Sequence, residues 1–302
     1  MIRTPFTKAQ GVGNDFLIVA LPAEAAALSP AWVRRICDRR LGVGADGVLV
    51  VSVPARAPEA DAVVKIFNSD GSEAEISGNG TRCAAAYLVQ AGCCGAQVSI
   101  RTGAGQKRLT LLSREENRFV FEMAMGAPVF SAAAIPFSPS SPVPEPPEPA
   151  EKPLEKIVGF DLPLSGGPRK VTVTSMGNPH CSLAVEHFDW DWEALGAEIE
   201  KHPFFPRRAN VEFYRLLSRR EIEVRFWERG VGMTLSSGTG SCAAAVAAIL
   251  NRQAESPVTV KTLAGELRVR WESEGVFLTG PAEIICQGEF FSPEEFSRAK
   301  PP

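Results

Sequence analysis

Neither sign of charge dominates this chain: 32 Lys and Arg stand against 35 Asp and Glu, a formal net charge of −3. Nucleic acids and anionic membrane surfaces both call for clustered cations, so neither is an expected partner and a small molecule is favoured. Long apolar runs are missing too. The opening Met1-Ile-Arg-Thr-Pro-Phe-Thr-Lys-Ala-Gln10 has no apolar core of signal-peptide length, and no later stretch reaches bilayer length, so the expected location is the cytoplasm. The cysteines lack a pattern. Cys37, Cys83, Cys93, Cys94, Cys181, Cys242 and Cys286 form an odd set without metal-ligand spacing, which argues against a disulfide scaffold and against a zinc site. Reduced thiols are expected, the neighbours Cys93 and Cys94 included, and no metal.

What is present is ordinary in proportion. Apolar residues at 45% and charged residues at 22% suit a soluble globular protein. A length of 302 residues exceeds one hydrophobic core, so two domains are expected.

Laid on itself, the chain repeats a pattern. Val64-Lys-Ile-Phe-Asn-Ser-Asp-Gly-Ser-Glu-Ala-Glu-Ile-Ser-Gly-Asn-Gly80 aligns without gaps on Val224-Arg-Phe-Trp-Glu-Arg-Gly-Val-Gly-Met-Thr-Leu-Ser-Ser-Gly-Thr-Gly240, so that Ser77 falls on Ser237. The same displacement carries Thr102, Ala104 and Gly105 to Thr262, Ala264 and Gly265. Each copy reads as an apolar strand (Val63 to Phe67; Ile222 to Trp227), a glycine-rich turn and an Ala-rich helix (Cys83 to Ala91; Cys242 to Leu250). Two further strands follow in each, Val98 to Arg101 with Gln106 to Leu112, and Val258 to Lys261 with Glu266 to Trp271. The reading is a duplicated domain with pseudo-symmetric halves. Between the copies, Pro139, Pro142, Pro144, Pro146, Pro147 and Pro149 crowd the segment Ser131 to Ala150, which reads as a linker or surface loop and puts a boundary near Pro128.

In both copies Ser-Gly-x-Gly sits where strand gives way to helix, and helix starts leave several backbone N–H groups unpartnered. Such an end attracts a carboxylate, or the enolate-like charge left when an α-proton departs. Two of them facing one another would enclose a small zwitterion. Taken singly, Ser77 or Ser237 is an N-cap and nothing more; two at one displacement favour a site. Gly42-Val-Gly-Ala-Asp-Gly47 satisfies G-x-G-x-x-G, but the helical stretch Trp32 to Arg40 precedes it and the strand Val48 to Val53 follows, the reverse of a dinucleotide fingerprint. It is set aside as a turn. Polar residues also collect in turns: Asn14, Asn68, Asn178, His180, Asn210, Glu228 and Arg229. One by one, the asparagines are turn formers, Glu228-Arg229 a surface pair and His180 a structural imidazole. The residues alone reach a two-domain anion site with no reaction assigned.

At these residues the chain resembles the diaminopimelate epimerase family. The segments that carry the resemblance are Gly11-Val-Gly-Asn-Asp-Phe16, Phe67-Asn-Ser-Asp-Gly-Ser72, Gly78-Asn-Gly-Thr-Arg-Cys83, Met176-Gly-Asn-Pro-His180, Glu228-Arg-Gly-Val-Gly232 and Gly238-Thr-Gly-Ser-Cys242. The resemblance implies a mixed α/β (α+β) fold of two pseudo-symmetric domains, each a mixed sheet wrapped around a central helix. Residues 1–127, with a returning segment at 276–302, would form one half; residues 128–275, with the Pro-rich loop 131–150, would form the other. It further implies a homodimer, no cofactor, diaminopimelate as the amino-acid substrate, and a place in making lysine and peptidoglycan. Asn14, Asn68, Asn178, Asn210, Glu228 and Arg229 would bind the two ends of the substrate. Main-chain N–H groups of Gly78-Asn79 and Gly238-Thr239 would hold the α-carboxylate, and His180 and Glu228 would tune the acidity of the catalytic pair.

That pair is where the chain departs. The family uses two cysteine thiols, which near neutral pH are populated in both protonation states; here Ser77 and Ser237 stand at those positions. An aliphatic hydroxyl needs a neighbouring base to act, His180 for Ser77 and Glu228 for Ser237. Cys83 and Cys242 are expected to point into helix packing and not to substitute. Three readings stay open: an epimerase whose thiols were replaced, a natural member shifted to another reaction such as the dehydration seen among proline racemase-like proteins, or a binding protein of the same fold. The favoured expectation is the epimerase fold and pocket with catalysis weak or absent.

Overall fold

Two runs of one element order account for most of the chain, whose computed structural model describes residues 2–22, 28–53, 60–139 and 155–292. The first run is β1 (Ile2–Gly11), β2 (Asn14–Ala20), α1 (Pro30–Cys37), β3 (Gly47–Ser52), β4 (Ala62–Asn68), β5 (Glu73–Ala74), α2 (Gly78–Gln90), β6 (Gln97–Thr102), β7 (Gly105–Glu115) and β8 (Arg118–Gly126). After β9 (Ile157–Leu162) the second run gives β10 (Arg169–Ser175), β11 (Pro179–Ala184), α3 (Trp192–Glu200), β12 (Asn210–Ser218), β13 (Glu221–Glu228), β14 (Gly232–Thr234), α4 (Gly238–Leu250), β15 (Val258–Thr262) and β16 (Gly265–Glu272). The last strand is β17 (Gly275–Ser292). The chain divides into two compact units, Met1–Ala124 with Thr279–Pro302, and Met125–Leu278.

In the first unit β1 and β2 form a hairpin, β2 runs parallel to β3, β3 antiparallel to β4, and β4 parallel to β6. From there β6, β7 and β8 continue antiparallel, β8 meets β17, and β17 returns along β1 from Ile2↔Ser292 to Gln10↔Glu283, closing the ring. Inside lies α2, packed against β1, β2, β3, β4 and β6. A helix enclosed on all sides must be apolar and thin all round; Cys83, Ala84, Ala85, Ala86 and Leu88 meet that demand and are fully buried. The second unit repeats the pairings: β11 parallel to β12, β12 antiparallel to β13, β13 parallel to β15, and α4 packed against β10 to β13, β15 and β16. The fold is mixed α/β, with a helix at the heart of each unit.

Two expectations need correction. The central helices begin at Gly78 and Gly238, before the predicted Cys83 and Cys242. The glycines there are helical because no side chain fits: a Cβ on Gly80 would lie 3.1 Å from Leu49 Cδ2, and one on Gly240 2.9 Å from the Phe226 ring. Also, the segment from Ser131 is no mere linker. Ala132, Ile135 and Phe137 are buried in the core of the second unit with Leu162, Val173 and Phe205, and Phe137 meets Phe205 at 5.1 Å between ring centroids. The prolines from Pro142 to Pro149 lie outside the described residues.

Candidate active site

Each central helix is capped by its serine in the same way. Ser77 (φ −136°, ψ 119°) accepts from Gly80 N at 3.0 Å, and Ser237 (φ −136°, ψ 127°) accepts from Gly240 N at 3.2 Å. The extended backbone at the cap turns the carbonyl into the helix, where Thr81 Oγ1 donates to Ser77 O at 2.7 Å and Ser241 Oγ to Ser237 O at 2.6 Å. The cap satisfies one orphan amide; the earlier N–H groups of Gly78 and Asn79, and of Gly238 and Thr239, keep the positive end of the helix open to an anion. Ser77 is half-buried and Ser237 buried.

In the first unit the polar side chains are bases, amides and two paired acids. Arg82, fully buried one turn into α2, donates from Nη2 to Asn79 Oδ1 at 2.6 Å and from Nε to Pro281 O at 3.1 Å. Asn14 donates to Asp46 Oδ2 at 2.8 Å. Asp46 lies in the glycine-rich turn that sequence reasoning set aside, and Arg39 bridges it to Asp15 at 2.8 and 2.7 Å. Lys8 Nζ adds contacts to Asp15 at 3.0 Å and to Gly44 O at 2.7 Å. Burial pushes the Asp15 carboxyl up, but hydrogen bonds and charge from Arg39 and Lys8 outweigh it and hold the group below the usual aspartate value. Asn68 is exposed and closes its own turn, donating to Ser72 Oγ at 2.9 Å, the turn-forming role the residue type favours.

In the second unit the neighbours of Ser237 are acids and an imidazole. Glu228, half-buried at the end of β13, accepts from Thr234 Oγ1 at 2.7 Å. Burial raises its pKa above the ordinary value, against the pull of Thr234, of His180 and of a hydrogen bond with Ser237. His180 is fully buried: Nδ1 meets Glu212 Oε1 at 2.6 Å, and Nε2 meets Asn178 Oδ1 at 2.9 Å. Both ring nitrogens are thus engaged within the unit. Asn210 donates to Pro179 O at 3.2 Å and accepts from Arg229 N at 2.9 Å. Arg229 is exposed and its guanidinium donates to Arg207 O at 3.1 Å; its partner is this carbonyl, not Glu228. The turn after β13 is fastened from α3 by the buried Glu200, which accepts from Trp227 Nε1 at 3.1 Å and from Gly230 N at 2.9 Å.

Sequence reasoning missed Asp46, Arg82, Glu200 and Glu212. A signal existed for two of them. Strand periodicity places Glu212 on the same face as Asn210, and parallel register sets Ser182 beside it as His180 is set beside Asn210. Arg82 follows Asn79 by three positions, the spacing of neighbours on a helix face. All seven cysteines are thiols outside any disulfide; Cys83 and Cys242 are buried, and burial pushes the Cys83 thiol up to about 12, so it supplies no thiolate near neutral pH. Among the described residues no group of His, Cys, Asp or Glu is arranged to hold a metal ion, and no helix is long and apolar enough to cross a membrane.

Known proteins share this fold. Solved structures with the same fold include a hydroxyproline epimerase from Agrobacterium vitis, at TM-score 0.65 and 14% identity over 95% of this chain and 92% of that one. A phenazine biosynthesis protein of the PhzF family from Bacillus anthracis has TM-score 0.61 and 17% identity over 97% and 100%. In sequence the likeness is much closer. The diaminopimelate epimerase of Pelotomaculum thermopropionicum is 41% identical over 290 residues, 94% of this chain and 98% of that protein. That of Desulfitobacterium hafniense is 39% identical over 288 residues, 93% and 96%. With the family profile named Diaminopimelate epimerase matching residues 6–131 and 172–285 as well, this chain belongs to the diaminopimelate epimerase family of isomerases.

Proposed function

We propose that this chain interconverts LL- and meso-2,6-diaminopimelate by two-base proton transfer without a cofactor, as a cytoplasmic homodimer on the route to lysine and peptidoglycan, and that its turnover is weak because hydroxyls stand where thiols are needed. The observation that carries the reading is the pair of identically capped helix starts, each offering main-chain N–H groups beside a serine. Inverting a carbon requires one group to take the α-proton from one face while a second returns a proton to the other. Ser77 and Ser237 are the two groups. The N–H groups of Gly78, Asn79, Gly238 and Thr239 hold the α-carboxylate and the carbanionic charge, and Asn14, Asn68, Asn178, Asn210 and Arg229 contact the remaining polar atoms of the substrate.

Weakness is expected to be unequal. Ser237 hydrogen-bonds Glu228, a carboxyl that burial pushes above its ordinary value and that can take and return a proton. The bonds described for Ser77 run to Gly80 and Thr81, neither of them a base. Ser77 is therefore the slow side. Incubating the protein with LL-diaminopimelate in heavy water and following deuterium at the α-carbon tests the proposal. Slow exchange is expected from the unaltered chain and rapid exchange with formation of the meso isomer after Ser77→Cys plus Ser237→Cys. Rapid exchange by the unaltered chain overturns the claim of impaired chemistry. A doubly restored protein that ignores diaminopimelate but binds another amino acid overturns the substrate.

A further inference from the structure

The second unit holds a cavity of about 240 Å³ that shares no lining residue with the proposed active site. It lies between α3 and the turn that joins β9 to β10, and two anchors hold that turn in place. Ser165 donates twice to Glu198 of α3, from N to Oε1 at 2.7 Å and from Oγ to Oε2 at 2.9 Å. The ring of His202, just past α3, meets Pro163 O at 2.8 Å. Within the turn Gly167, at φ 95°, donates from N to Leu164 O at 3.0 Å, a backbone conformation that a side chain would strain. The hollow is therefore held open by bonds that exist before any ligand arrives. The first unit has no equivalent. There the pairing that matches β9–β10 is β17–β1, and those strands come from opposite ends of the chain with no turn between them.

The lining is mixed in chemistry. Leu164, Leu195 and Trp190, all half-buried, rest on the core of the unit and form the apolar side. The indole N–H of Trp190 is engaged, donating to His187 O at 2.9 Å, so what Trp190 offers is ring surface. Arg169 also lines the cavity; it is exposed, and its guanidinium has no hydrogen bond or ion pair among the described residues. Glu198 supplies the opposite charge, and of the roughly four acceptor positions of a carboxylate Ser165 fills two. We propose that this cavity binds a free α-amino acid with an apolar side chain: Arg169 takes the carboxylate, Glu198 the ammonium group, and Trp190 with the two leucines the side chain. A simple anion would meet the charge of Glu198 and a simple cation that of Arg169, so a molecule carrying both is preferred. The volume lies below the roughly 300 Å³ at which sites for larger ligands begin, which suits an amino acid and excludes a nucleotide. The inference does not depend on the reaction proposed for the serines.

Calorimetric titration of the unaltered full chain with L-phenylalanine tests the proposal, beside 3-phenylpropionate, which lacks the ammonium group, and phenethylamine, which lacks the carboxylate. L-phenylalanine is expected to bind, and each of the other two at least about tenfold more weakly. Arg169→Gln and Glu198→Gln should each weaken L-phenylalanine binding about tenfold. Lys170→Gln should change it little, because that neighbouring cation is paired with Asp161 and does not line the cavity. Nitrogen-15 spectra locate the ligand: the indole N–H signal of Trp190, identified by its loss in Trp190→Phe, should shift as L-phenylalanine is added. Absence of binding, or binding that both Arg169→Gln and Glu198→Gln leave unchanged in protein that still melts at its usual temperature, overturns the proposal. Equally tight binding of 3-phenylpropionate overturns the amino-acid assignment. Displacement of L-phenylalanine by excess meso-diaminopimelate, with the Trp190 signal unmoved throughout, would put the ligand at the serine site and overturn the proposal as well.

Discussion

Ser77 and Ser237 cap their helices at the same φ of −136° and accept from the amide three residues on at 3.0 and 3.2 Å, yet what surrounds them differs in sign. Behind the first cap stands the buried guanidinium of Arg82, tied to Asn79. At the equivalent place in the second helix stands Cys242, and the polar groups are instead Glu228, Glu212 and His180. The backbone is alike in both, and with it the unpartnered N–H groups of the helix start, which depend on main-chain geometry alone. The side chains differ: a buried guanidinium lies behind the first cap, acids and an imidazole lie near the second. A duplicated scaffold can thus hold one charge distribution in common, the helix dipole, while its two copies carry different side chains around it; under the proposed function they would take different parts in a proton transfer.

The largest effect that would test this contrast comes from restoring one thiol at a time. Ser237→Cys alone, beside Glu228, should raise α-proton exchange of LL-diaminopimelate by about 100-fold, with configuration retained because one face is served. Ser77→Cys alone should gain much less. Deuterium content read together with chiral chromatography checks both; equal gains would break the asymmetry. Next in size is the cation. Arg82→Met removes the donor for Asn79 Oδ1 and Pro281 O, and should cost roughly 3 kcal/mol in urea unfolding. Cys242→Ala, which removes no charge, should cost less. A neutral result for Arg82→Met would mean the buried guanidinium does not organise its helix start.

Much of this molecule is legible in its sequence, for physical reasons that also mark the limit. The strand at Val63 to Phe67 and its copy at Ile222 to Trp227 are found within a residue or two as β4 and β13, since alternation of apolar residues survives in both. The central helix and the two strands after it were legible in both copies too; the elements before β4 and β13 were not. The hairpin β1–β2 corresponds to β10–β11, and α1 to α3, but the spacing between elements changes from one copy to the other, so a fixed displacement cannot align them. The helix starts were placed late because glycine argues against a helix unless one knows that Leu49 or Phe226 leaves no room for a Cβ. The core role of Ile135 and Phe137 was masked by the prolines beyond them. Of the polar groups around the proposed site, Glu212, Glu200 and Asp46 were not singled out from sequence, because each matters through the side chain or backbone it holds.

The smallest effect is the one that tests what the two halves share. Ser77→Ala and Ser237→Ala each delete a cap bond and should each cost about 1 kcal/mol. Ser237 also touches Glu228, but that carboxyl keeps its 2.7 Å bond from Thr234, so the extra loss in the second half should be small. Denaturation of the two variants side by side would then give nearly equal shifts. If Ser237→Ala costs more than its counterpart by over about 1 kcal/mol, a margin beyond what cap bonds alone differ by, the Glu228 contact and not the helix start anchors that serine. The common element of the two halves would then be narrower than the matching backbone angles imply.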